Sequence, residues 1–94
     1  MAVAVIQDFE GATLDQYDRV IDKMGITPGS SHPEPGCLFH WVTETETGLR
    51  VVDVWDSRDQ FDTWIAEQVA PNALDAGFPN PPQNTFHEIH AYFS

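Results

Sequence analysis

The run Val51-Val52-Asp53-Val54-Trp55-Asp56-Ser57-Arg58-Asp59-Gln60-Phe61 constrains this chain more than any other segment. Val51 to Trp55 is a β-branched, half-polar stretch that reads as a strand. Ser57 stands three residues before Gln60, the spacing of a helix capping box. Phe61, Trp64, Ile65 and Val69 then recur at helical spacing. A strand running directly into a capped helix selects an α+β unit. It also sets an acid, Asp53, and an indole, Trp55, on one face of a sheet.

The rest of the chain supplies the partners of that unit. Ala2 to Asp8 reads as a first strand, broken by Gly11. Thr13 and Gln16 form a second capping box, Tyr17, Val20, Ile21 and Met24 make one apolar stripe, and Gly25 is a C-terminal stop. Residues Thr27 to Gly36 are dense in Pro, Gly and Ser and read as a loop containing a solvated His32. Cys37 to Thr43 and Leu49 to Trp55 form a hairpin. A second helix runs from Ser57 to about Ala70 and is ended by Pro71. Asn72 to Asn84 is irregular, and Thr85 to Phe93 is a last strand. The order strand-helix-strand-strand-helix-strand gives one ferredoxin-like domain over residues 1–94. Its four-stranded antiparallel sheet carries both helices on one face.

Such a sheet leaves its second face bare, and bare apolar faces associate. Two copies packed sheet to sheet with a cavity between them are therefore expected, all the more because a chain of 94 residues buries only a modest core. Fifteen acidic residues against four basic ones give a charge of -11, which repels nucleic acid and anionic membranes. Cys37 is the single cysteine, so no internal disulfide forms and a reducing cytoplasm is the expected compartment. Neither a signal peptide nor an apolar stretch of the roughly 20 residues that cross a bilayer is visible. Glycine-rich phosphate loops and nucleophile-elbow serines are absent as well, which removes support for nucleotide and hydrolase chemistry.

Strand alternation sorts the candidate site. Val52 and Val54 form a pure apolar face, assigned to the helices together with Trp41. Val51, Asp53 and Trp55 form a mixed face, assigned to the cavity between copies. In the last strand His87, Ile89, Ala91 and Phe93 suit the helix side, and Phe86, Glu88, His90 and Tyr92 the cavity. The hairpin register decides His40. A loop of even length pairs His40 with Asp53 and Leu38 with Trp55, whereas an odd one turns His40 toward the helices. Favoured two- and four-residue loops are even. A His40–Asp53 pair could orient a general base, although a His–Asp pair in a sheet is more often a structural hydrogen bond. Trp55 and Trp64 are first of all packing residues, since aromatics dominate small cores. His87 and His90 lie three apart and point to opposite faces of a strand, so a zinc site would need His40, His90 and a carboxylate from separate strands.

The run Val54-Trp55-Asp56-Ser57-Arg58-Asp59-Gln60-Phe61, with this element order, resembles the dimeric α+β barrel superfamily of antibiotic biosynthesis monooxygenase-like and EthD-like proteins. The resemblance implies that Trp55 lines a substrate pocket, with an acid and a serine opening the helix behind it. It implies a homodimer without a resident cofactor that binds a small apolar or aromatic molecule and abstracts a proton from it, as an oxygenase, isomerase or cyclase would. His40 or His90 would be the base, Asp53 its orienter, and Trp55, Phe86, Glu88 and Tyr92 the ligand-binding wall. A non-catalytic ligand-binding or stress-related dimer is the alternative. Haem or metal binding is a further one, although the second helix, Phe61 to Val69, carries no His where haem-degrading relatives have one.

Overall fold

The computed structural model describes residues 2–29 and 33–91. His32, Tyr92 and Phe93 lie outside the described residues, so the expectations for them find no counterpart here. The elements are β1 (Val3–Glu10), α1 (Leu14–Lys23), β2 (Cys37–Glu44), β3 (Gly48–Trp55), α2 (Arg58–Trp64), a π-helical turn (Ile65–Val69), α3 (Ala70–Asp75) and β4 (Gln83–Glu88). The strands form one antiparallel sheet in the order β2-β3-β1-β4, the ferredoxin-like arrangement. Among the described residues no helix is long and apolar enough to cross a membrane.

Local chemistry explains the helix ends. Thr13 and Gln16 exchange both capping-box bonds, Thr13 N–H to Gln16 Oε1 at 2.9 Å and Gln16 N–H to Thr13 Oγ1 at 3.2 Å. At the other end of α1, Gly25 takes φ +73° and the Ile26 amide donates back to the Ile21 carbonyl. This is the left-handed stop that glycine permits. Ser57 caps α2 by accepting from the Gln60 amide at 3.3 Å, while its hydroxyl donates to Gln60 Oε1 instead of leaving that oxygen to the cap backbone.

Pro71 does not end the second helix. It sits in the first turn of α3, which continues to Asp75 inside the stretch expected to be irregular. A proline lacks the amide hydrogen and crowds the carbonyl four residues back. The π turn before it resolves the conflict by widening the helix, and the Ala70 amide reaches five residues back to the Ile65 carbonyl. The last strand is shifted as well. It spans Gln83–Glu88, so Ile89, His90 and Ala91 fall beyond its end.

The hairpin has the even register. Glu44 pairs with Leu49 across a four-residue turn closed by the Thr45 amide on the Gly48 carbonyl, and His40 stands opposite Asp53. One irregularity intervenes: a bulge between Cys37 and Phe39 sets Cys37, not Leu38, opposite Trp55.

The assignment of faces is reversed. The helices cover the mixed face, not the pure valine face. Val5 and Trp55 pack against Phe61 and Trp64 of α2, and Phe9, Leu49 and Val51 form an adjoining cluster that Tyr17 of α1 joins. Trp55, Phe61, Leu49 and Val5 are fully buried there. Burying apolar side chains contributes about 1.5–3 kcal/mol each, and aromatic ones bury the larger areas. Asp53 tolerates the same burial because its own sheet supplies hydrogen-bond donors, as shown below. Val52 and Val54 therefore lie on the open face. Trp41 is opposite Val52 and Phe39 opposite Val54, which places both on that face too, 43% and 48% exposed.

Candidate functional site

Three elements converge at Asp53: β3, β2 and α1. Its carboxylate is buried, with 4% side-chain exposure. Oδ1 lies 2.5 Å from His40 Nδ1 on β2, and Oδ2 accepts from Trp55 Nε1 two residues along β3 at 3.2 Å. His40 Nε2 lies 2.7 Å from the Tyr17 hydroxyl, brought down by α1, and the two rings lie nearly parallel at 13°. An ionised carboxylate only accepts, so His40 Nδ1 carries the hydrogen. In the neutral ring Nε2 then accepts from the Tyr17 O–H. The result is a directed chain, Tyr17 to His40 to Asp53, with Trp55 holding the second carboxylate oxygen.

The electrostatics reinforce that polarity. Burial pushes the Tyr17 phenol up to about 12, and the negative Asp53 and Asp18 add to the shift, so Tyr17 remains a donor across the ordinary pH range. Burial and Asp53 likewise push the Cys37 thiol up to about 12, which leaves it inert toward electrophiles.

This chain of side chains stands at the wall of a cavity of about 790 Å³ between the sheet and the helices. Its lining includes Gln7, Tyr17, His40, Asp53, Trp64 and Val69. The volume falls in the range of small-molecule sites, roughly 300–1,000 Å³. It lies within one copy of the chain, not between two sheets. The π turn matters here, since Ile65 and Val69 both face the cavity.

The expected site residues thus separate. His40, Asp53 and Trp55 come together. Trp55 is fully buried and acts on the site through Asp53 without lining the cavity. Phe86 shares their side of the sheet, opposite Val5, but its ring packs edge-on to Phe61 and carries the Arg58 guanidinium 3.7 Å above it. Glu88 is exposed at the end of β4, and His90 is exposed beyond it, along the sheet edge opposite to β2. Neither lines the cavity. The β4 strand ends too early to turn His90 inward. No group of three or more His, Cys, Asp or Glu side chains suited to a metal ion occurs among the described residues.

Two residues escaped the sequence reading. Tyr17 looked like one member of an apolar stripe, yet a phenol on a sheet-facing helix stripe needs a hydrogen-bond partner. Gln7 is 3% exposed, and its Nε2 has no partner among the described residues. Its signal was positional: in Val5, Gln7 and Phe9 it interrupts the inward-facing alternation of an apolar strand.

No family model and no curated protein matches the chain. Solved structures do. Rv0793 from Mycobacterium tuberculosis superposes with a TM-score of 0.68, at 24% identity over 100% of both chains. A protein of Chloroflexus aurantiacus J-10-fl assigned to the antibiotic biosynthesis monooxygenases gives 0.65, at 19% identity over 100% of this chain and 98% of that one. SnoaB from Streptomyces nogalater, a cofactor-independent oxygenase, gives 0.58, at 13% identity over 97% and 93%. At these identities the likeness speaks for architecture, and the chain has the α+β fold of the antibiotic biosynthesis monooxygenase-like proteins.

Proposed function

We propose that this protein binds a small, largely apolar aromatic molecule between its sheet and helices and removes a proton from it without a resident cofactor. The hydrogen-bonded chain Tyr17–His40–Asp53 at the cavity wall carries this reading. A substrate hydrogen made acidic by neighbouring carbonyl or aryl groups passes to the Tyr17 oxygen as the Tyr17 proton moves to His40 Nε2. The imidazolium so formed keeps its Nδ1–H on Asp53, whose charge stabilises it. The electron pair left on the substrate carbon is then available to dioxygen as co-substrate. SnoaB, similar in fold, is a cofactor-independent oxygenase.

Anthrone in aerated buffer is the test, because its methylene hydrogens are acidic and oxidation by one dioxygen gives anthraquinone and water. Wild type is expected to accelerate oxygen uptake and quinone formation. His40→Ala and Asp53→Asn each lower the rate by about 10²–10⁴, the usual contribution of a positioned base, whereas His90→Ala leaves it unchanged. Equal rates in all variants sink the assignment. One observation favours the alternative, a non-catalytic binding protein: both His40 nitrogens are already engaged by protein groups. Tight binding of anthrone with no rate above buffer would establish it.

We also infer that two copies pack through the open sheet face. Phe39 and Trp41 are large and about half exposed there, beside Ile6, Val52 and Val54. Pairing would cover this surface, including Phe39 and Trp41 where they border the rim of the cavity. The thiol-only chemistry of Cys37 suits a cytoplasmic setting.

A further inference from the structure

β1 presents Val5, Gln7 and Phe9 to the helices, and all three are buried. Two of them are apolar and pack in the core clusters. Gln7 is different. Its Nε2 is buried and has no hydrogen-bond partner among the described residues. Buried donors are almost always paired, because an unpaired one forfeits its hydration without return. A methionine or leucine would occupy the position without that cost. Gln7 also lines the same cavity as Tyr17, His40 and Asp53. It stands opposite Val51, one inward-facing pair along the sheet from the Val5–Asp53 pair. It and His40 are therefore two strands apart on one floor, about 10 Å across the sheet.

We propose that Gln7 Nε2 is a ligand-anchoring donor that recognises a carbonyl oxygen of the molecule in this cavity. The site then selects aromatic ketones over hydrocarbons of the same shape. The assignment rests on the cavity being the binding site and gives that reading a ligand class. It also has a consequence for chemistry. Removing a proton conjugated to that carbonyl moves charge onto its oxygen, and an N–H already aimed there bonds more strongly to an oxyanion than to a ketone.

Anthrone and 9,10-dihydroanthracene share a three-ring frame and differ by the carbonyl. Their binding is measured anaerobically by tryptophan fluorescence in wild type, in Gln7→Met, which keeps the length and loses the donor, and in Gln7→Glu, which replaces the donor by an acceptor. Wild type is expected to prefer anthrone by at least about tenfold, the scale of leaving a buried donor unpaired. Gln7→Met removes the preference by weakening anthrone alone and does not lower the melting temperature. If Gln7→Glu fails to fold, Gln7→Met still decides. Persistence of the preference in Gln7→Met, or equal binding of the two probes by wild type, overturns the proposal and points to an internal water as the amide's partner. Turnover of anthrone with the preference intact in Gln7→Met would spare the enzymatic reading and remove this one. A wild-type preference lost in Gln7→Met, without any turnover, does the reverse. Binding of neither probe by wild type overturns both.

Discussion

His40→Leu isolates what the buried acid costs. Asp53 has 4% side-chain exposure and two partners, and the substitution leaves it with Trp55 Nε1–H alone. Breaking a buried pair by removing one partner costs about 3–5 kcal/mol. His40 itself is 27% exposed, so water reaches the vacated side and the lower end, about 3 kcal/mol, is expected. Asp53→Asn keeps an acceptor of the same shape and removes the charge, a change worth about 1–2 kcal/mol. The double substitution His40→Leu with Asp53→Asn has no stranded charge. It should cost about 2 kcal/mol in all, less than His40→Leu alone, giving a coupling of about 2–3 kcal/mol. These are large fractions of the roughly 5–14 kcal/mol expected for a 94-residue domain. Urea unfolding at pH 7 resolves them, since with a slope near about 1 kcal/mol/M a 3 kcal/mol loss moves the midpoint by about 3 M. Additivity of the two single costs within about 0.5 kcal/mol would show that Asp53 and His40 do not act as a charge-stabilised pair, and the relay would lose its foundation.

Two further outcomes follow from the same geometry. In a spectrophotometric titration at 295 nm the Tyr17 phenol should ionise at about 12 in the folded protein and at 10.0 when unfolded. Its folded value is the higher one, so the associated stability is complete below pH 10 and is lost as pH rises from 10 toward 12. Titration of both tyrosines near 10 in the folded chain would contradict its placement on His40. On the open face, Trp41→Glu sets a charge opposite Val52. Sedimentation equilibrium should show a dimer for wild type and a single copy for the variant. A wild type that stays a single copy at high concentration refutes the pairing.

The contrast between what the residues disclose and what they hide is sharpest in β3. The strand, the Ser57 cap, the α1 capping box, the Gly25 stop and the even hairpin register were all legible, because each depends on neighbours within a few positions. Sidedness was not. Val52 and Val54 present the purer apolar face, and an isolated carboxylate argues for exposure, so alternation alone points the valines inward. The structure buries Asp53 instead, because the partners that make burial tolerable come from elsewhere: His40 from the neighbouring strand and Trp55 from two positions on. Trp55 then carries the larger apolar surface to the helices. The same argument covers Tyr17 and Gln7, whose polar atoms matter only once α1 and β1 have been set against one cavity. A polar residue on an inward-facing position is thus ambiguous by itself. A partner from its own sheet makes it structural, a partner from a helix makes it part of a relay, and the absence of a protein partner, as at Gln7 Nε2, makes it a place to look for a ligand.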